Sequence, residues 1–414
     1  MSQTLLHPNL ERVALERSSQ LTEHRRAFWG IMACFLVHGL VVSTWVSRIA
    51  SVKSALHLGD GALGLALLGT AIGSVTAIPI SGALVVRHGS RLIARCTAAG
   101  FCLSLLAIPL AHDTATLFAA LLFYGAMAGA NDVAMNAQAV ATEKLLGTPA
   151  ISRFHAMFSI GGIAGAMAGA LIAGRGVPTA AHLVVASGVF LAFALTATRL
   201  LADTRARTAD RTAAPRPGRF RLPVALFALS AIGFCIFLSE GAIADWTGVF
   251  LHQVLGAGPG LAPVGYAVFS AAMAIFRLSG DAITLRIGRA ATIRSGGAVA
   301  AAGLSFALLV HSPYWALAGF AAAGAGFSCI VPLVFAAGGR IPEVSEGAGV
   351  ATVSGFGYLG FLVGPPAIGF LSELTSLRVG LLLLVLLSAA AAAMVGLVVR
   401  GVGGAPNPFA DEAN

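Results

Sequence analysis

Twelve apolar runs, each long enough to cross a lipid bilayer as a helix, constrain this chain more than any other feature. A hydrocarbon core of about 30 Å needs roughly 20 apolar residues in helical form, and a backbone in lipid must satisfy its own hydrogen bonds. The runs lie near residues 27–48, 61–86, 92–111, 116–140, 154–174, 179–200, 222–251, 261–285, 291–311, 314–338, 348–371 and 378–399. Spread over 414 residues, they leave 34.5 residues for each span with its connection, too few for a separate folded domain. Composition agrees: 57% of residues are hydrophobic and 10% charged, against about 45–50% and 25% in soluble proteins. The expectation is an all-α integral membrane protein with twelve transmembrane helices.

Charge then orients the spans, because cytoplasmic loops retain Lys and Arg. With the N-terminus inside, 21 of the 26 basic residues fall on the inner side and four, Arg48, Lys53, Arg175 and Arg378, on the outer side; Arg277 lies within span eight. The net charge of +9 is therefore read as topology rather than as nucleic-acid binding. Seven arginines, Arg199, Arg205, Arg207, Arg211, Arg216, Arg219 and Arg221, lie in or beside a Pro-containing polar stretch at mid-chain. The organisation expected is a cytoplasmic tail (1–26), a six-helix half (27–200), a basic linker (201–221), a second six-helix half (222–400) and a cytoplasmic tail (401–414). The first run has no small-residue cleavage site followed by a soluble domain, so it is read as a retained span in the cytoplasmic (inner) membrane.

Several chemistries are excluded. The only lysines are Lys53 and Lys144, and neither follows a glycine, so there is no phosphate-binding loop of the ATPase type. The five cysteines sit in apolar runs without CxxC spacing, and no HExxH or GxSxG occurs. Gly355, Gly357 and Gly360 formally satisfy GxGxxG but lie inside an apolar span with no preceding strand. No cofactor, metal or catalytic set is expected, and the chain reads as a non-enzyme.

An internal duplication should leave similar patterns at one offset. Gly82, Arg87, Gly89 and Arg91 follow span two; Gly280, Asp281, Arg286, Gly288 and Arg289 follow span eight. The first glycines are 198 residues apart, and Gly161 and Gly165 of span five correspond to Gly360 and Gly364 of span eleven at 199. On these motifs the chain resembles the major facilitator superfamily of secondary transporters over nearly its whole length, which implies two pseudo-symmetric six-helix halves and a gating role for both loops. The first loop has Val86 where that family usually has Asp. Gly129–Gln138, Glu240–Trp246 and Gly357–Pro366 look like the MosC and YbjJ type of membrane protein, near the fucose permeases. That branch carries in span four an acid followed four residues later by Asn, which Asp132 and Asn136 match; its span-one acid has no counterpart here.

Ionisable groups in hydrocarbon cost roughly 2.5–3.5 kcal/mol on insertion scales, so each calls for a partner or a function. Span four carries Asn131, Asp132, Asn136 and Gln138; Asp132 and Asn136 share one helix face, Asn131 and Gln138 an adjacent one. The readings are a substrate or proton site and an interhelical hydrogen-bond clamp. Glu240 and Asp245 of span seven, five residues apart, point about 140° from one another unless the helix breaks at Gly241 or Gly248. They read as substrate contacts or as salt-bridge partners, with Arg48 as a candidate cation. His38, the central histidine of span one, is either a proton-sensitive group or a neutral hydrogen-bonded imidazole. Trp45 and Trp246 end the first spans of the two halves, as an interfacial aromatic belt or as stacking platforms for a sugar-like ligand. Arg277 and Asp281 read as an i,i+4 gating pair, and Gly364-Pro365-Pro366 should kink span eleven.

The function expected is secondary active transport of a small polar solute, by resemblance a sugar or polyol derivative, through a cavity lined by spans one, four, seven and ten. Substrate contacts would be His38, Trp45, Asn131, Asp132, Asn136, Glu240, Asp245 and Trp246, with Asp132, His38 and Glu240 carrying protons, in a monomer. Drug efflux and a non-transporting membrane sensor or scaffold are the alternatives.

Overall fold

The computed structural model describes residues 7–202, 223–341, 344–400 and 408–409, and all its regular structure there is helical. The first half holds α1 (His7–Val46), α2 (Ile49–Ala55), α3 (Asp60–His88), α4 (Ser90–Ser104), α5 (Thr114–Leu146), α6 (Ile151–Gly174) and α7 (Thr179–Arg199). The second holds α8 (Val224–Gln253), α9 (Val264–Leu278), α10 (Gly280–Ile287), α11 (Arg289–Leu309), α12 (Pro313–Phe327), α13 (Ile330–Gly338), α14 (Glu346–Leu374) and α15 (Leu377–Arg400). Eleven stretches are long and apolar enough to span a membrane, twelve once α9 and α10 count as one bent span. Apart from Leu201 and Ala202, the expected basic linker lies outside the described residues, as does most of the C-terminal tail.

Helix ends follow local chemistry. Asp113 caps α5 by accepting from the Thr116 hydroxyl and backbone N–H at 2.6 and 2.8 Å, and these bonds hold its carboxyl below the usual carboxylate range. Gly89 and Gly288 join α3 to α4 and α10 to α11 with φ 84°, ψ 146° and φ 82°, ψ 157°. Only glycine adopts that region cheaply, and its recurrence 199 residues apart makes the duplicated loop visible in the backbone. Span eight differs from expectation. It bends by 58° between α9 and α10, which takes Arg277 and Asp281 out of i,i+4 register. Arg277 instead donates from Nε to the Ser328 carbonyl at 3.0 Å. Conversely, α8 runs unbroken past Gly241 and Gly248, and α14 continues as one helix through Pro365 and Pro366.

The same helix pairs pack in both halves. Contacts of α1 with α6, α3 with α5, α4 with α7 and α1 with α7 recur as α8 with α14, α9 with α12, α11 with α15 and α8 with α15. Small residues set these distances, as expected where helices associate by close packing rather than by water exclusion. A Cβ on Gly125 of α5 would sit 2.6 Å from the Thr70 Cα of α3.

Between the halves the chief contacts are α3 with α14 and α6 with α9, and the close approaches fall at the end remote from the chain termini. There a Cβ on Gly64 would meet the Pro365 carbonyl at 2.6 Å, and one on Gly369 the Asp60 carbonyl at 2.7 Å. Lys53 of α2 is buried, pairs with Asp60 at 2.6 Å and donates to Gln253 of α8 at 2.6 Å. The Gly61 N–H donates to Glu373 of α14 at 3.1 Å. One apolar cluster, including Trp45, Ile49, Ile243 and Trp246, joins the halves. A second, around Ile31, Phe35, Phe154 and Ala197, belongs to the first half alone and lies toward the termini. The halves are thus sealed at the remote end, and their cores separate toward the termini.

Candidate functional site

The polar residues of α5 divide between two faces. Asn131 and Gln138 are buried. Asn131 Oδ1 accepts from Thr97 of α4 at 3.2 Å, and its Nδ2 lies 2.9 Å from His38 Nδ1. The Thr97 hydroxyl also donates to the Ile93 carbonyl at 2.8 Å, so it bridges its own helix to Asn131. The His38 imidazole is packed between Phe101 and Phe158. Gln138 donates to Ser90 Oγ at 3.1 Å and to the Ala202 carbonyl at 2.9 Å. These bonds clamp α1, α4 and the end of α7 to α5.

Asp132 and Asn136 face the centre and are only half-buried. Asn136 Nδ2 donates to Asp132 Oδ1 at 3.1 Å and to its carbonyl at 2.9 Å. Tyr358 of α14 lies within electrostatic reach of Asp132. Across the centre, Glu240 and Asp245 of α8 are also half-buried. Tyr266 of α9 lies within electrostatic reach of both. Arg277 lies within reach of Glu240 and of His155 on α6. Tyr124 of α5, in the first half, lies within electrostatic reach of Asp245 in the second. Glu240 Oε1, the Tyr124 hydroxyl, Trp246 Nε1 and Thr247 Oγ1 are buried without a hydrogen-bond partner. Such groups are costly to leave unpaired.

Three expectations are corrected. Arg48 is not the partner of the α8 acids: it is 2% exposed and donates from Nε to His182 Nδ1 of α7 at 2.9 Å, because α2 follows immediately and turns the chain over the end of the half. Trp45 and Trp246 form no interfacial belt, being 3% and 0% exposed in the core that seals the remote end. Arg277 and Asp281 form no pair, for the bend described above. Sequence reasoning missed Tyr124, Tyr266 and Tyr358. The available signal was rarity, since the chain has four tyrosines and these three lie in the interior of apolar runs, while Tyr314 stands at the edge of one. Of the loop residues, Arg91 donates to the Arg199 carbonyl at 3.0 Å, tying the first loop to α7.

The sequence profile of the Major Facilitator Superfamily matches residues 27–345. The chain belongs to the major facilitator superfamily. An uncharacterized MFS-type transporter of Yersinia pestis is 36% identical over 363 residues, covering 87% of this chain and 93% of that protein. The membrane protein MosC of Rhizobium meliloti is 32% identical over 381 residues, 90% of each chain. Two crystal structures share the fold: a D323A mutant of the nucleoside transporter NupG, with TM-score 0.71 at 14% identity over 91% of this chain and 99% of that one, and a bacterial homologue of the lysosomal transporter Spinster in an inward-facing, occupied conformation, with TM-score 0.70 at 15% identity over 93% and 98%. As a superfamily member the protein is an integral membrane secondary transporter of a small molecule, not an enzyme. Within that fold the central acids and phenols occupy the junction of the two halves.

Proposed function

We propose that the protein carries a small polar solute, a sugar or polyol derivative, across the cytoplasmic membrane together with protons, as a monomer with both termini in the cytoplasm. The observation that carries this reading is the presence of three half-buried acids within the apolar spans, Asp132 in the first half and Glu240 and Asp245 in the second. A water-poor setting favours the protonated carboxyl, and water entering an opened cavity favours proton release, so such acids can load and unload protons as access alternates. Asp132 is the coupling acid, with Asn136 beside it able to pass a hydrogen bond to solute; Glu240 is the second proton site. The asymmetric distribution of Lys and Arg makes the open, termini-bearing end cytoplasmic. The two loops, with Gly82, Arg87, Gly89 and Arg91 and with Gly280, Asp281, Arg286, Gly288 and Arg289, guide the rocking of the halves at that surface.

The test uses proteoliposomes and a solute found by thermal shift among sugars and polyols, since a ligand of the folded state raises its stability. Asp132→Asn should abolish accumulation against a gradient and leave counterflow intact. Unchanged uphill transport in this variant removes Asp132 as the coupling acid.

A further inference from the structure

We propose that the transported solute carries an ammonium group, received by Asp245 between Tyr124 and Tyr266; this rests on the transporter reading and names its substrate class. The argument is one of uncompensated charge. Three carboxylates face the centre. Asp132 is engaged by Asn136, and Glu240 has Arg277 within electrostatic reach. The His38 nitrogen is taken up by Asn131 and Lys53 by Asp60 and Gln253; Arg48 donates to His182 and keeps one guanidinium nitrogen unpartnered, but does not act on Asp245. Asp245 has neither a hydrogen-bond donor nor a cation among the described residues.

What surrounds Asp245 suits an organic cation. The Tyr124 hydroxyl is buried with no partner and can accept one ammonium N–H, while the carboxylate accepts a second. Tyr266 lies within electrostatic reach of the same acid, and aromatic faces attract a desolvated cation. Trp45 and Phe101 pack on the Tyr124 ring at 6.5 and 5.0 Å and hold it in place. Because Tyr124 and Asp245 belong to opposite halves, the ammonium group is bound by both at once, which is the condition for a solute to draw the halves together.

The test is a thermal-shift series on the purified full chain, using matched triplets of amine, N-acetyl amide and parent alcohol: glucosamine, N-acetylglucosamine and glucose, with the corresponding galactose and ethanolamine sets. Only the amines should raise the melting temperature. Loss of one partner of a buried, hydrogen-bonded charge pair costs about 2–5 kcal/mol, so Asp245→Asn should bind the effective amine at least roughly thirtyfold more weakly. If Asp245→Asn does not fold, Tyr124→Phe, which keeps the ring, should weaken the amine selectively. Equal shifts by amide or alcohol, no shift by any amine, or undiminished amine binding in these variants overturns the proposal. Counterflow of a neutral sugar in proteoliposomes would then leave the transporter reading standing, and absence of any saturable flux would remove both.

Discussion

Asn131 and Asp132 are adjacent in the chain and do different work, because one residue of helix rotates a side chain by about 100°. Asn131 turns into the first half and closes a bond to His38, while Asp132 turns to the centre. The density of polar groups in span four was legible from the sequence; which neighbours would occupy them was not, since His38 and Thr97 come from other helices. Asn131→Ala strands the His38 nitrogen in an apolar pocket. An unsatisfied buried group costs about 1–3 kcal/mol, so this variant should melt at lower temperature in detergent. Melting equal to wild type would deny the clamp. The tyrosines were illegible for a related reason: a phenol in an apolar run looks like core until the acid opposite it is known.

At the scale of elements, the spans themselves were readable because lipid admits little besides long apolar helices. The break inside span eight was not. Ser279 and Gly280 interrupt neither length nor hydropathy, and the bend is held from outside by Ser328, which accepts from Arg277. The paired loops were legible as a repeat of Gly and Arg, and the structure adds the reason for their glycines. Gly288→Ala forces a side chain into a backbone region reserved for glycine, at a cost of order 1–3 kcal/mol. The expected outcome is lower thermal stability, with a matching loss for Gly89→Ala. Unequal effects, with one loop tolerant, would show that the two copies are not equivalent.

For the whole molecule, closure at one end and separation at the other follow from where small residues and polar bridges fall between the halves. The sequence displayed Gly64, Gly369, Lys53 and Glu373 without showing that they meet, because their partners lie in the opposite half. Alternating access requires that loosening this seal closes the other end. The direct measurement is the distance between spin labels on opposite halves, in the wild type and in Gly64→Leu, whose side chain cannot fit against the Pro365 carbonyl. One label pair, Ser54→Cys with Leu374→Cys, reports the remote end; another, Val86→Cys with Leu285→Cys, reports the termini end, each in a background free of native cysteines. The predicted result is a longer remote-end distance in Gly64→Leu together with a shorter termini-end distance. Lengthening at the remote end with no shortening at the other would contradict reciprocal motion of the halves about the central acids.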